Sequence, residues 1–180
     1  MKYLINVVII LILLGIVVSI ITWQNNKNLI NKMKITFINT VSIIPKVLLS
    51  GCILFVIFEI ILKSLKINEV FLDILIISIY GVIIVLLGDY ISRIIIKRIS
   101  HNNVCKEYGG RTLTEKEMKE ILNGNQKGFF YWNYILNFLI SGLLYSLITE
   151  FILSETNLLI IILMSLTSII FYGTLFKRII

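Results

Sequence analysis

Residues 70–88 read VFLDILIISIYGVIIVLLG, nineteen residues in which Asp73 is the only charged side chain. A bilayer core about 30 Å thick is crossed by roughly 20 apolar residues in a helix that rises 1.5 Å per residue. This stretch therefore predicts a transmembrane helix. Four further stretches have similar length and character, so that we predict helices over residues 4–23, 46–65, 70–88, 129–153 and 158–176.

The composition supports the same conclusion for the whole chain. Of its 180 residues, 58% are hydrophobic and 15% are charged, whereas a soluble domain is about half apolar and about a quarter charged. These proportions exclude a soluble enzyme, a disordered tail and a secreted disulfide scaffold. We predict an all-α, polytopic integral membrane protein that forms a single membrane domain over residues 1–180.

The segments between these helices carry their own signals. Residues 35–44 have an apolar face that favours a short interfacial helix, and Pro45 predicts a break before the second span. Residues 89–100 predict a basic, amphipathic extension of the third span. In the polar region 102–127, Thr114 and Glu117 form a capping-box pattern that predicts a short helix.

Charge counting predicts the orientation. Of the 17 Lys and Arg residues, fourteen fall in the first loop, the long loop and the C-terminus, whereas three fall in the alternate segments. Because basic residues collect in cytoplasmic loops, we predict that the N-terminus lies outside and the C-terminus inside. The expected location is the cytoplasmic membrane of a bacterium, whose inner leaflet is anionic.

Ionisable residues at membrane depth are functional candidates by default. Glu59 and Lys63 are four residues apart near the outer end of the second span, and Asp89 and Arg93 repeat this spacing at the inner end of the third. Each pair can be a neutralised i,i+4 pair. Alternatively, Glu59 can bind a proton or a cation.

Small and amide side chains predict close helix contacts. Gly81 and Gly88 on the third span and Gly142 on the fourth permit close packing, and Asn133 and Asn137 can form hydrogen bonds between helices. We expect a homodimer built on the third span, with an intramolecular bundle as the alternative.

The sequence offers little for catalysis. The single histidine, His101, precedes Cys105 by four residues, but the pair falls in a stretch that we predict to be a loop. One histidine and one cysteine are too few for a structural zinc site. We therefore predict no enzyme activity, no cofactor, no metal and no nucleic-acid partner.

The region 97–127 is the predicted cytoplasmic contact. Its basic residues can hold it on the anionic leaflet or bind a cytoplasmic protein. The candidate contact residues are Lys97, Arg98, Arg111, Lys116 and Lys119.

From Pro45 to about residue 176 the layout resembles the YrvL-like regulatory membrane proteins of Gram-positive bacteria. The resemblance rests on the outer hairpin 64–73, the Gly88-Asp89 end of the third span, and Thr149-Glu150-Phe151 with Ser154 before the last span. The first helix and the larger basic loop depart from that layout. The resemblance implies a non-enzymatic regulator of gene expression and no catalytic residues.

Three functions follow from these observations. The first is a regulatory or accessory membrane protein that acts through its cytoplasmic loop. The second is a small transporter or permease subunit that uses an intramembrane carboxylate such as Glu59. The third is an immunity protein against a membrane-active peptide, which would meet the outward acidic residues Glu69, Asp73, Glu150 and Glu155.

Overall fold

The computed structural model describes residues 2–23, 29–108, 130–153 and 156–176. These residues form helices and no strand. In chain order they are α1 (Lys2–Trp23), α2 (Leu29–Ser64), α3 (Phe71–Tyr108), α4 (Phe130–Ile152) and α5 (Leu158–Phe171), with a π-helical turn at Tyr172–Phe176.

The helices have the length and composition of membrane spans. Four contain stretches long and apolar enough to cross a bilayer, and α5 with its π-helical turn gives a shorter apolar helix over Leu158–Thr174. The predicted class, an all-α protein with four to five long apolar helices compatible with a membrane, is confirmed. The four longer stretches are Lys2–Ile20, Met33–Ser64, Phe71–Ser100 and Tyr131–Ile152.

Helix α2 does not break where the sequence predicted a break. It runs without interruption through Pro45, so residues 35–44 are its first half and not a separate interfacial helix. Proline removes one backbone hydrogen bond. Apolar, helix-compatible residues continue on both sides of Pro45, whose side chain is exposed, and a helix once formed propagates readily.

Helix α3 is longer than predicted. It continues past the expected extension, through residues 101–108, which we predicted to be a loop. No glycine or proline lies between Asp89 and Tyr108, and the first helix-breaking pair is Gly109-Gly110. At 38 residues, the helix is about 57 Å long.

The turn between α2 and α3 has a Schellman arrangement. The Ile67 N–H donates to the Leu62 carbonyl at 3.0 Å, and the Lys66 N–H donates to the Lys63 carbonyl at 3.0 Å. Lys66 has φ 60°, the left-handed conformation that usually requires glycine at this position. The accompanying contact places Ile67 against the core beside buried Leu62.

Helix α3 lies at the centre of the bundle and contacts each of the other four helices. The buried core takes residues from all five, among them Leu14, Phe58, Ile77, Tyr145 and Met164. Gly81 and Gly88 of α3 face α4 of the same chain, as the intramolecular alternative expects. The homodimer stays a prediction.

Candidate functional site

The most polar part of the core is a junction of α3, α4 and the turn after α5, which we call the Asp89 junction. Asp89 is buried, and its Oδ2 lies 2.7 Å from an Arg93 guanidinium nitrogen and accepts a hydrogen bond from the Tyr172 hydroxyl at 2.9 Å. The Asn133 side-chain amide donates to Asp89 Oδ1 at 3.1 Å. One carboxylate therefore ties three helical elements together.

The neighbours of Asp89 extend this network. The Ser92 hydroxyl donates to Asn133 Oδ1 at 2.6 Å, and the Ser141 hydroxyl donates to the buried Asn137 Oδ1 at 3.0 Å. A Cβ at Gly88 would overlap Asn137 Oδ1. Asn133 and Gly88, which we predicted to make helix contacts, both lie at this junction. Because Gly88 has no Cβ, it lets the backbones of α3 and α4 approach each other.

The polar face of α4 continues towards the other end of the bundle. The buried Tyr145 hydroxyl lies 2.6 Å from the Ser168 hydroxyl of α5, directly beside Gly81. Buried Thr149 follows one turn later. The inward polar residues of α4 occur at four-residue intervals, a regular spacing that would have revealed this face in the sequence: Asn133, Asn137, Ser141, Tyr145 and Thr149.

The opposite face of α4 is apolar and exposed. Its large residues occur at the same interval and face away from the bundle, where lipid would lie: Ile135, Leu139, Leu143 and Leu147. Gly142 lies beside this face, and a Cβ there would meet nothing within 4 Å. Within the chain, Gly142 therefore makes no close helix contact.

A second ionic contact lies at the other end of the bundle. Lys2 Nζ lies 3.1 Å from Asp73 Oδ1 and donates a hydrogen bond to the Ile152 carbonyl at 3.2 Å. This clasp holds the first turn of α1, the first turn of α3 and the end of α4 at the same end of the bundle. Sequence reasoning missed it, because Lys2 was only a positive charge to be counted and Asp73 a solvated helix end.

Glu59 and Lys63 form the pair that their spacing predicted, with Lys63 Nζ 2.6 Å from Glu59 Oε1. Unlike Asp89, this pair lies on the surface, with side chains 33% and 71% exposed. Glu59 is therefore not at the centre of a buried site. The structure does not bring it near Asp89.

The predicted cytoplasmic contact residues divide into two groups. Lys97 and Arg98 are exposed on the last third of α3. Arg111, Lys116 and Lys119, with the predicted helix 114–123, lie outside the described residues. His101 and Cys105 belong to α3 and not to a loop.

Within the described ranges, no group of three or more His, Cys, Asp or Glu residues could hold a metal ion. Comparison with family models, curated proteins and solved structures finds no match for this chain.

Proposed function

We propose that this chain is a multi-pass protein of the bacterial cytoplasmic membrane, which acts as a non-enzymatic regulatory or accessory protein through the basic region 97–127. In this proposal the N-terminus lies outside and the C-terminus in the cytoplasm. Exposed Tyr131 and Trp132 lie beside the Asp89 junction and support a membrane interface at this end of the bundle, because aromatic belts mark both interfaces. Arg93, Lys97 and Arg98 follow at the same end, where cytoplasmic basic residues are expected.

The observation that carries the proposal is the course of α3. One uninterrupted helix begins at the Lys2–Asp73 clasp, passes the Asp89 junction and carries the exposed basic residues Lys97 and Arg98 beyond it. It is fastened to neighbouring helices at two levels, at the clasp and at the junction. A change at the outer end would therefore reach the cytoplasmic segment.

The ion pairs favour this role over that of a carrier. Glu59, Asp73 and Asp89 are each within 4 Å of a basic side chain of the same chain: Lys63, Lys2 and Arg93. A proton- or cation-coupled carrier requires a carboxylate that exchanges its counter-ion during transport. At the two buried carboxylates, Asp73 and Asp89, the internal cations oppose that exchange.

Crosslinking tests the proposed contact. A photo-crosslinking residue placed at Arg98 in the full chain, in native membranes, should give a protein adduct. The same residue at Leu143, on the lipid-facing side of α4, is the matched control and should give none. An adduct at neither position, or at Leu143 alone, would contradict a cytoplasmic protein contact.

Transcript profiling then tests the consequence. A double variant, Lys97→Glu with Arg98→Glu, should reproduce the profile of the deletion strain, whereas Glu150→Gln should preserve the wild-type profile. Glu150 is an exposed carboxylate at the outer end of α4. A flux measurement on purified protein in proteoliposomes tests the carrier function. If the wild type conducts protons or cations and Asp89→Asn does not, the carrier function is favoured instead.

A further inference from the structure

A cavity of about 130 Å³ lies between α2, α3 and the turn that joins them, at the end of the bundle that carries the Lys2–Asp73 clasp. Two phenylalanines and three aliphatic side chains form its apolar walls. Four polar side chains complete the lining: Glu59, Lys63, Asn68 and Glu69.

The polar side of this cavity already holds an alkylammonium group. Lys63 Nζ lies 2.6 Å from Glu59 Oε1, so the ammonium group of Lys63 is already paired with the Glu59 carboxylate. The Lys63 side chain is 71% exposed, and an exposed ion pair of this kind contributes little to stability. A competing ammonium can therefore replace Lys63, whose long stem lets it turn outwards.

The apolar side of the cavity also suits a cation. Phe55 and Phe71 meet edge to face, with ring centroids 4.7 Å apart and planes at 61°. Ring faces attract ammonium groups through their quadrupole. A carboxylate and aromatic rings on one cavity suit an organic ammonium group.

Position and volume restrict the ligand further. The cavity includes the last turns of α2 and the first turn of α3, the level at which a spanning helix leaves the hydrocarbon. Its volume is close to that of a cavity of about 150 Å³ that holds benzene. A space of this size admits an ethanolammonium group.

We propose that this cavity binds the headgroup of an aminophospholipid, with its ammonium at Glu59 and its phosphate at the displaced Lys63. The headgroup is zwitterionic, and α2 offers it Glu59 and Lys63 on adjacent turns, while Glu69 adds a second carboxylate to the lining. Exchange replaces the Glu59–Lys63 ion pair by two ion pairs with the headgroup. This inference does not depend on the regulatory role, because its test measures lipid binding alone.

Native mass spectrometry of the purified full chain tests the proposal. The protein is prepared with an equal mixture of phosphatidylethanolamine and phosphatidylglycerol, and the lipids that remain bound are counted. Phosphatidylethanolamine should be retained in preference. Glu59→Gln should lower its retention about tenfold, the loss expected when one charge-assisted hydrogen bond becomes neutral. Glu150→Gln is the matched control and should retain the wild-type preference.

A second variant keeps the test decisive if Glu59→Gln lowers the yield of folded protein. Lys63→Met leaves the carboxylate in place and removes the proposed phosphate partner, so it should also lower retention. Equal retention of both lipids by the wild type, or unchanged retention in both variants, would overturn the proposal. Competition by soluble phosphoethanolamine at the same affinity as the lipid would assign the cavity to a soluble ligand and overturn the lipid assignment.

Discussion

Helices α2 and α3 are the two longest that the structure describes, and the apolar stretches within them have nearly the same mean hydropathy, but they occupy opposite environments. In the most apolar 18-residue stretch of α3, 72% of the residues are buried inside the bundle, against 28% for α2. Hydropathy identified both as spans. It could not indicate which of the two lies at the centre.

The difference lies in the small and polar residues. Helix α3 presents Ser78, Gly81, Gly88 and Ser92 to its neighbours, and all four are buried. Lipid is as apolar as a leucine side chain, so helices associate in a membrane through close packing and hydrogen bonds and not through the burial of leucine. These four residues lie on one face of α3, where Gly81, Gly88 and Ser92 meet α4, and their small size lets α4 pack closely against the central helix.

The prediction with the largest expected effect compares the two i,i+4 ion pairs. Asp89→Leu should lower the free energy of unfolding by about 3 kcal/mol, because it leaves Arg93, Asn133 and Tyr172 without their shared acceptor. Glu59→Leu, the matched change on α2, should cost less than about 1 kcal/mol because its pair is exposed. Denaturation in detergent micelles measures both. Equal losses would show that burial of the Asp89 junction contributes nothing.

The next test uses glycine. Gly81→Leu should cost about 2 kcal/mol, because the added side chain overlaps the Tyr145 hydroxyl and the tight core cannot accommodate it. Gly142→Leu on α4 is the control and should change stability by less than about 0.5 kcal/mol, since its surroundings are open. Thermal unfolding in detergent gives both values.

A large loss in Gly142→Leu would contradict this expectation. It would mean that the outward face of α4 packs against another chain, which would move the predicted homodimer from α3 to α4.

These two tests also show what the sequence could predict. Apolar length alone identified the helices, and the four-residue spacings identified the Glu59–Lys63 and Asp89–Arg93 pairs. The junction could not be predicted in full, because Asp89, Asn133 and Tyr172 lie more than 35 residues apart and their meeting depends on how three helices pack. Periodicity specifies a face of one helix but not the partner of that face.

The Lys2–Asp73 clasp is the clearest contact that depends on helix packing and joins residues far apart in the sequence. Lys2→Met should lower the free energy of unfolding by about 1 kcal/mol, because Asp73 loses a counter-ion whose own side chain is half exposed. Lys34→Met, a change at an exposed lysine in the first half of α2, should leave stability unchanged. Denaturant titration of both variants compares them. An equal effect of the two substitutions would assign the loss to net charge and not to the clasp.

The smallest expected effect is a gain at the end of α2. Lys66 has a left-handed backbone conformation in the Schellman turn. This conformation is unfavourable for a residue with a Cβ but not for glycine. Lys66→Gly should therefore raise the free energy of unfolding by about 1 kcal/mol, part of which the greater freedom of unfolded glycine offsets. Lys66→Ala removes the same charge but keeps the Cβ, so thermal unfolding should show no gain. A gain in alanine equal to that in glycine would mean that the lysine charge, and not the backbone, is the unfavourable feature of this turn.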